Sequence, residues 1–193
     1  MNILAHLHLA KLAQSSIIGN AVADFVKGDP YSKYPNDIAN GIMMHRRLDK
    51  LIDNLPAVKQ AKSFFIAKHQ RVAPITLDIV WDHFLSKHWA DYCTTESVTE
   101  FNESIKSIIQ PFSSQFSDEF NEFITAMCRG NWLVNYADLA FIQRALKGMA
   151  NRRPKLALLS DTFTDITQNY EKLEAIFKSF YPELMQLAKQ KKL

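Results

Sequence analysis

Apolar residues recur every three or four positions along almost the whole chain, which is the spacing of one side of an α-helix and not the alternation of a strand. The pattern predicts helices over about 2–14, 20–28, 36–54, 56–70, 74–93, 97–110, 116–128, 137–151, 155–180 and 183–192. Pro56, Pro74 and Pro182 stand where first helical turns begin, a position that needs no backbone N–H. Asn36 and Asp37, directly after Pro35, read as helix caps. There is no hairpin signal, no repeat and no linker long enough to divide the chain, and the segment QPFSSQFSD at 110–118 reads as the loosest loop. The expectation is an all-α fold, a single compact helical domain over residues 1–193.

Composition narrows this further. With 193 residues, 47% of them hydrophobic, the chain can bury a continuous interior and is not disordered. No apolar run approaches the roughly 18 residues of a membrane span. The start, MNILAHLHLAKLAQ, lacks a basic lead and is interrupted by His6 and His8, so it does not read as a signal peptide. Cys93 and Cys128 match no metal or redox spacing. The expected location is the cytoplasm. A net charge of +3 does not suggest a nucleic-acid binder. Its distribution says more, because Arg144, Lys147, Arg152, Arg153 and Lys155 fall in one stretch without an acid among them. Such a patch suits an acidic protein partner or a phosphate ligand, and the plain alternative is a solvated helix end.

Ionisable residues that fall on apolar stripes carry the chemistry. Around the helix expected over 36–54, His45 and Asp49 share an arc with Ile38, Ile42 and Ile52. Over 74–93, Asp78 and Asp82 lie within an arc of Ile75, Ile79, Trp81, Leu85 and Trp89, and His83 borders it. Two carboxylates on a buried stripe repel each other and lose hydration, which a divalent metal would offset. Mixed oxygen and imidazole ligands from facing helices favour Mg or Mn over zinc. His6 faces inward with Ile3, Leu7 and Ala10, whereas His8 falls on another face and reads as surface or incidental. Asp24 lies with Asn20 and Lys27 on a polar face, which alone would be a solvent salt pair. Taken singly, each inward His or Asp is more often structural than catalytic. Ligand-type pairs on two helices together are a less ordinary coincidence.

The strings NILAHLHLA, GNAVADFVKG, GIMMHRRLDKLIDNLP, RVAPITLDIVWDHFLSKHW and FIQRALKGMANRRP closely resemble the bacterial acyl carrier protein phosphodiesterase family. The resemblance runs from residue 2 to the last helix and is weakest over about 94–130. That family is similar to the HD-type metal-dependent phosphohydrolases, although here the pair at 82–83 reads Asp-His and not His-Asp. The resemblance implies hydrolysis of holo-acyl carrier protein to the apo form and phosphopantetheine, with manganese or a similar ion. Its motifs fall on His6, Asp24, His45, Arg46, Asp49, Asp53, Asp78, Asp82 and His83. On that basis the metal is expected on Asp24, His45 and Asp82, with His6, Asp78 or His83 completing the shell. His83 is the first candidate for the acid that protonates the departing serine oxygen, and Arg46 for a charge-balancing group beside the phosphate. The basic patch is expected to dock the acidic carrier. Two rivals stand beside this reading: a helical phosphohydrolase of small nucleotides, and a non-enzymatic binding module whose His and Asp are structural.

Overall fold

The computed structural model describes residues 1–193, the side chain of Ser113 excepted. Its helices are α1 (Ile3–Leu12), α2 (Ile17–Val22), α3 (Asn36–Asn54), α4 (Pro56–Lys62), α5 (Ala73–Lys87), α6 (Trp89–Tyr92), α7 (Val98–Ile109), α8 (Asp118–Arg129), α9 (Trp132–Asn135), α10 (Leu139–Arg152), α11 (Phe163–Gln168) and α12 (Tyr170–Lys189). Short 3-10 turns join several of them, among them Ala23–Phe25 directly after α2. No strand occurs among the described residues, and no helix is long and apolar enough to cross a membrane.

α1 is the axial element. Every residue from Ile3 to Ala10 is buried, so this helix is wrapped on all sides. Packed against it, Trp81, Phe84, Phe177, Phe180 and Tyr181 form an aromatic core with ring centroids 4.8 to 6.4 Å apart. Such spacings are those of favourable offset and edge-on ring pairs. The wrapping overturns the surface placement of His8. Its ring is 2% exposed, Nδ1 lies 2.7 Å from the Tyr181 hydroxyl, and Trp89 and Phe101 flank it. The one-wet-face assumption fails for a helix that has no wet face.

Several boundaries also differ, most of all toward the C-terminal end. The long helix expected over 155–180 is split into a 3-10 segment (Pro154–Ser160), α11 and the start of α12. Pro182 starts no helix; it lies inside α12. An internal proline removes a backbone bond and costs roughly 3 kcal/mol. Here the buried Phe177, Phe180, Tyr181 and Leu184 hold the helix together around it.

α2 and α3 cross closely enough to need glycine on both. A Cβ on Gly19 would lie 2.3 Å from the Ile38 carbonyl oxygen, and one on Gly41 would lie 2.9 Å from that of Ser16. Ser16 caps α2 by accepting from the Gly19 N–H at 3.1 Å. This crossing sets the end of α2, and with it Asn20 and Asp24, against the middle of α3.

Candidate metal centre

His45 sits midway along α3, and its Nδ1 lies 2.9 Å from the backbone oxygen of Asn20. A carbonyl can only accept, so Nδ1 carries the proton and Nε2 faces the other way. Nε2 lies 3.3 Å from Asp24 Oδ1 and 3.3 Å from Asp49 Oδ2, yet it makes a well-formed hydrogen bond to neither. His6, from α1, stacks on His45 with ring centroids 3.6 Å apart and places Nε2 2.9 Å from Asp49 Oδ1. Ligand atoms of His6, His45 and Asp49 come within 4.8 Å of one another. Atoms sharing one ion at about 2.1 Å sit about 3 Å apart or slightly more.

The electrostatics are those of a place that calls for a cation. Burial pushes the His45 pKa down, but the Asp24 and Asp49 carboxylates overcome it and raise it to about 9. Burial also disfavours ionised Asp49, yet His45 and His6 hold its carboxyl well below the usual range. The imidazole beside it lowers Asp24 as well. His6 is kept neutral, lowered to about 4 by burial and by the neighbouring His45 charge. An orphaned, buried His45 Nε2 directed at two ionised carboxylates is an arrangement that a divalent ion fits.

The α5 carboxylates do something else. Asp82 is wholly buried, and its oxygens accept from the backbone N–H groups of Leu4 and Ala5 at 2.8 and 3.0 Å. It thus caps the first turn of α1 from another helix, where the N-terminal dipole also favours negative charge. Burial raises its pKa to about 7 in spite of those two bonds. Asp78, one turn earlier, lies 3.0 Å from the Met1 ammonium, which is also 3.4 Å from Asp49. Burial raises the pKa of Asp78 too.

His83 and Arg46 both bond to backbone elsewhere in the fold. The Nδ1–H of His83 donates to the Tyr136 carbonyl at 2.8 Å, and Nε2 accepts from the Tyr170 hydroxyl at 2.7 Å. Burial lowers its pKa, in keeping with a neutral ring. The Arg46 guanidinium donates to the Gly28 and Val26 carbonyls at 2.8 and 2.6 Å, bracing the loop just after Asp24. Asp53 lies 3.3 Å from Lys62, at the surface.

Above the cluster opens a cleft of about 890 Å3 whose lining includes Asp24, His45, Asp78, Arg144, Arg152 and Arg153. Sequence reasoning did not find its apolar walls, although the face of α10 that forms one of them repeats every three to four residues. A shallower groove of about 580 Å3 beside Phe64 has Lys172 as its one ionisable side chain.

A model of the family described as acyl carrier protein phosphodiesterase matches residues 1–184. The chain belongs to the acyl carrier protein phosphodiesterase family. Relatives of that name from Serratia proteamaculans and Yersinia pestis are 48% and 47% identical to it over 193 residues, the whole of both chains. One from Photorhabdus laumondii is 50% identical over 191 residues, 99% of this chain and 96% of its own. No solved structure matches the chain. For this family member, the structure brings His6, Asp24, His45 and Asp49 together. Asp82, His83 and Arg46 instead bond to backbone groups of neighbouring segments.

Proposed function

We propose that this chain hydrolyses the phosphodiester between phosphopantetheine and the carrier serine of holo-acyl carrier protein, giving the apo carrier and free phosphopantetheine. Membership of the family supports the reaction, and the orphaned His45 Nε2 on the cleft floor is the observation that carries the site. His45, Asp49, Asp24 and His6 would hold a divalent ion, Mn by preference with Mg as the alternative, since the donors are mixed oxygen and imidazole and no thiolate takes part. Such an ion, when bound, acidifies water and offsets charge on the phosphodiester oxygens. The helical His/Asp set also supports the likeness to HD phosphohydrolases. This ligand set puts Asp49 in the place expected for Asp82, because both Asp82 oxygens already serve α1.

The remaining roles belong to the chain itself. Asn20 fixes the His45 ring through Nδ1, so that Nε2 stays aimed between the carboxylates. Departing serine oxygen needs a proton, and His83 has both nitrogens engaged. Asp78 lines the cleft, and burial raises its pKa against the opposing Met1 ammonium at 3.0 Å, so the acid role falls to it among the cleft residues. Arg152 and Arg153 make no ion pair among the described residues, since Asp161 pairs with Lys68 and Asp165 with His69. With Arg144, Lys147 and Lys155 they form the basic surface on which an acidic carrier docks. Two free cysteines, Cys93 and Cys128, are in keeping with the cytoplasm.

The test is incubation of the purified protein with holo-acyl carrier protein and Mn2+, followed by intact-mass measurement of the carrier. Loss of the phosphopantetheine mass is expected. An unchanged carrier mass with a folded protein would overturn the reading.

A further inference from the structure

Gly148 has no structural reason to be glycine. Gly28 needs its φ of +78°, Gly19 and Gly41 lie in a helix crossing, and a Cβ on Gly130 would meet the Trp132 ring at 2.5 Å. At Gly148, inside α10, an added Cβ meets nothing within 4 Å. Helix propensity argues against glycine there by about 1 kcal/mol. What its absent side chain leaves is room in the cleft.

The cleft is walled by one face each of α8 and α10. Glu119, Glu122, Phe123 and Ala126 come from α8, at helical spacing. α10 contributes two adjacent rows: Phe141, Ala145 and Met149, and beside them Arg144, Gly148 and Arg152. Gly148 is therefore a gap between two arginines set about 12 Å apart along the helix. The charges on the two walls do not close on each other. Arg144 pairs with Asp138 at 3.5 Å, on its own side, and Arg152, Glu119 and Glu122 have no ion pair among the described residues.

We propose that this cleft is the site for the phosphopantetheine arm, and that Gly148 keeps its width. The proposal rests on the function proposed above. The phosphodiester end of the arm lies toward His45 and Asp24, on the floor of the same cleft. Its uncharged pantetheine portion, two amides and a gem-dimethyl group, passes over Gly148 against Phe141, Ala145 and Met149. An apolar wall suits such a chain. The flanking arginines, Arg144 and Arg152, then border the path of the arm on either side of Gly148.

Trp132 lines the cleft, whereas Trp81 and Trp89 are buried in the core, so indole fluorescence reports occupancy. Free phosphopantetheine, titrated into the Mn2+-loaded protein, is the probe. Gly148→Phe is expected to weaken its binding at least tenfold and to raise KM for the holo carrier. Mn2+ affinity, measured by calorimetry without the arm, should stay within twofold. Ala145→Leu should act in the same direction if Gly148→Phe folds poorly, and Gly148→Ala should melt no lower than the parent. Folded Gly148→Phe and Ala145→Leu proteins that match the parent in binding and in KM would overturn the arm site while the hydrolase reading stands. A parent protein that leaves the carrier's mass unchanged would overturn the hydrolase reading itself.

Discussion

Replacing Gly19 with alanine tests whether the helix crossing sets the metal centre. The new Cβ would lie 2.3 Å from the Ile38 carbonyl oxygen and 3.0 Å from Gly41 Cα, where ordinary contact begins at 3.4 Å. Both obstacles are backbone, so no rotamer change relieves them, and α2 must move from α3 by about 1 Å. Asn20 is the next residue, and its bond to His45 Nδ1 is 2.9 Å long. A shift of that size takes it beyond hydrogen-bond range. Overpacking costs about 1–3 kcal/mol, and an unsatisfied buried imidazole N–H adds about 1–3. Better helix propensity returns about 1 kcal/mol. The net loss is then about 1–5 kcal/mol, out of a total stability of order 5–15. Urea denaturation should show a midpoint lower by about 1 M or more. Calorimetry should show Mn2+ affinity falling at least tenfold, since His45 loses its anchor. A Gly19→Ala protein with the parent midpoint and parent Mn2+ affinity would refute the link between crossing and site.

Asp82→Asn should lower stability by about 1–3 kcal/mol, because an amide cannot accept from both Leu4 and Ala5. His45→Ala should instead abolish Mn2+ binding with little loss of helicity, and a reversal of these two outcomes in calorimetry and thermal melts would return Asp82 to the ligand set. His8, lowered by burial to about 4 from its ordinary 6.5, binds no proton in the folded state over a range where the unfolded chain does. Its contribution is full above pH 6.5 and is lost as pH falls toward 4, by up to about 3 kcal/mol; a His8→Gln protein whose stability falls just as steeply over that window would contradict this. Arg152→Glu with Arg153→Glu should raise apparent KM for the holo carrier several-fold, an effect that added salt reproduces in the parent. Equal losses on a small generic phosphodiester would assign the arginines to stability and not to docking.

Periodicity carried the helical fold and the inward turn of His6, His45 and Asp49, because a stripe on a helix states which side meets the interior. It does not state what waits there. Asp78 and Asp82 read as a buried carboxylate pair with a cation as the remedy, whereas in the fold Asp82 is buried and Asp78 is half-exposed. The remedy in the fold is the start of α1, whose free N–H groups approach Asp82 only through tertiary packing. Asp24 looked like solvent chemistry because its own segment is a short turn, and its partner His45 lies 21 positions away on α3. Arg46 sits on the right helix beside the right histidine, but carbonyls of a loop 18 and 20 positions earlier claim its guanidinium. The cleft walls stayed hidden for a related reason: a helical face that lines a void and one that lines a core share the same spacing.

The division between α3 and α5 follows from where positive potential is available. Asp82 is buried against a helix N-terminus whose backbone dipoles are fixed once α1 folds, so its charge is met without any ligand. Asp24, which lines the cleft, and Asp49 beneath it share the His45 Nε2, a group that satisfies them only by taking up a proton, while Asp49 also meets His6 Nε2 and the Met1 ammonium. Three carboxylates, Asp24, Asp49 and Asp78, thus share one imidazolium and the Met1 ammonium, and Asp24 and Asp78 face the cleft. The carboxylates that α1 satisfies hold the scaffold, and those that protein groups leave in deficit are where a divalent cation gains most from binding.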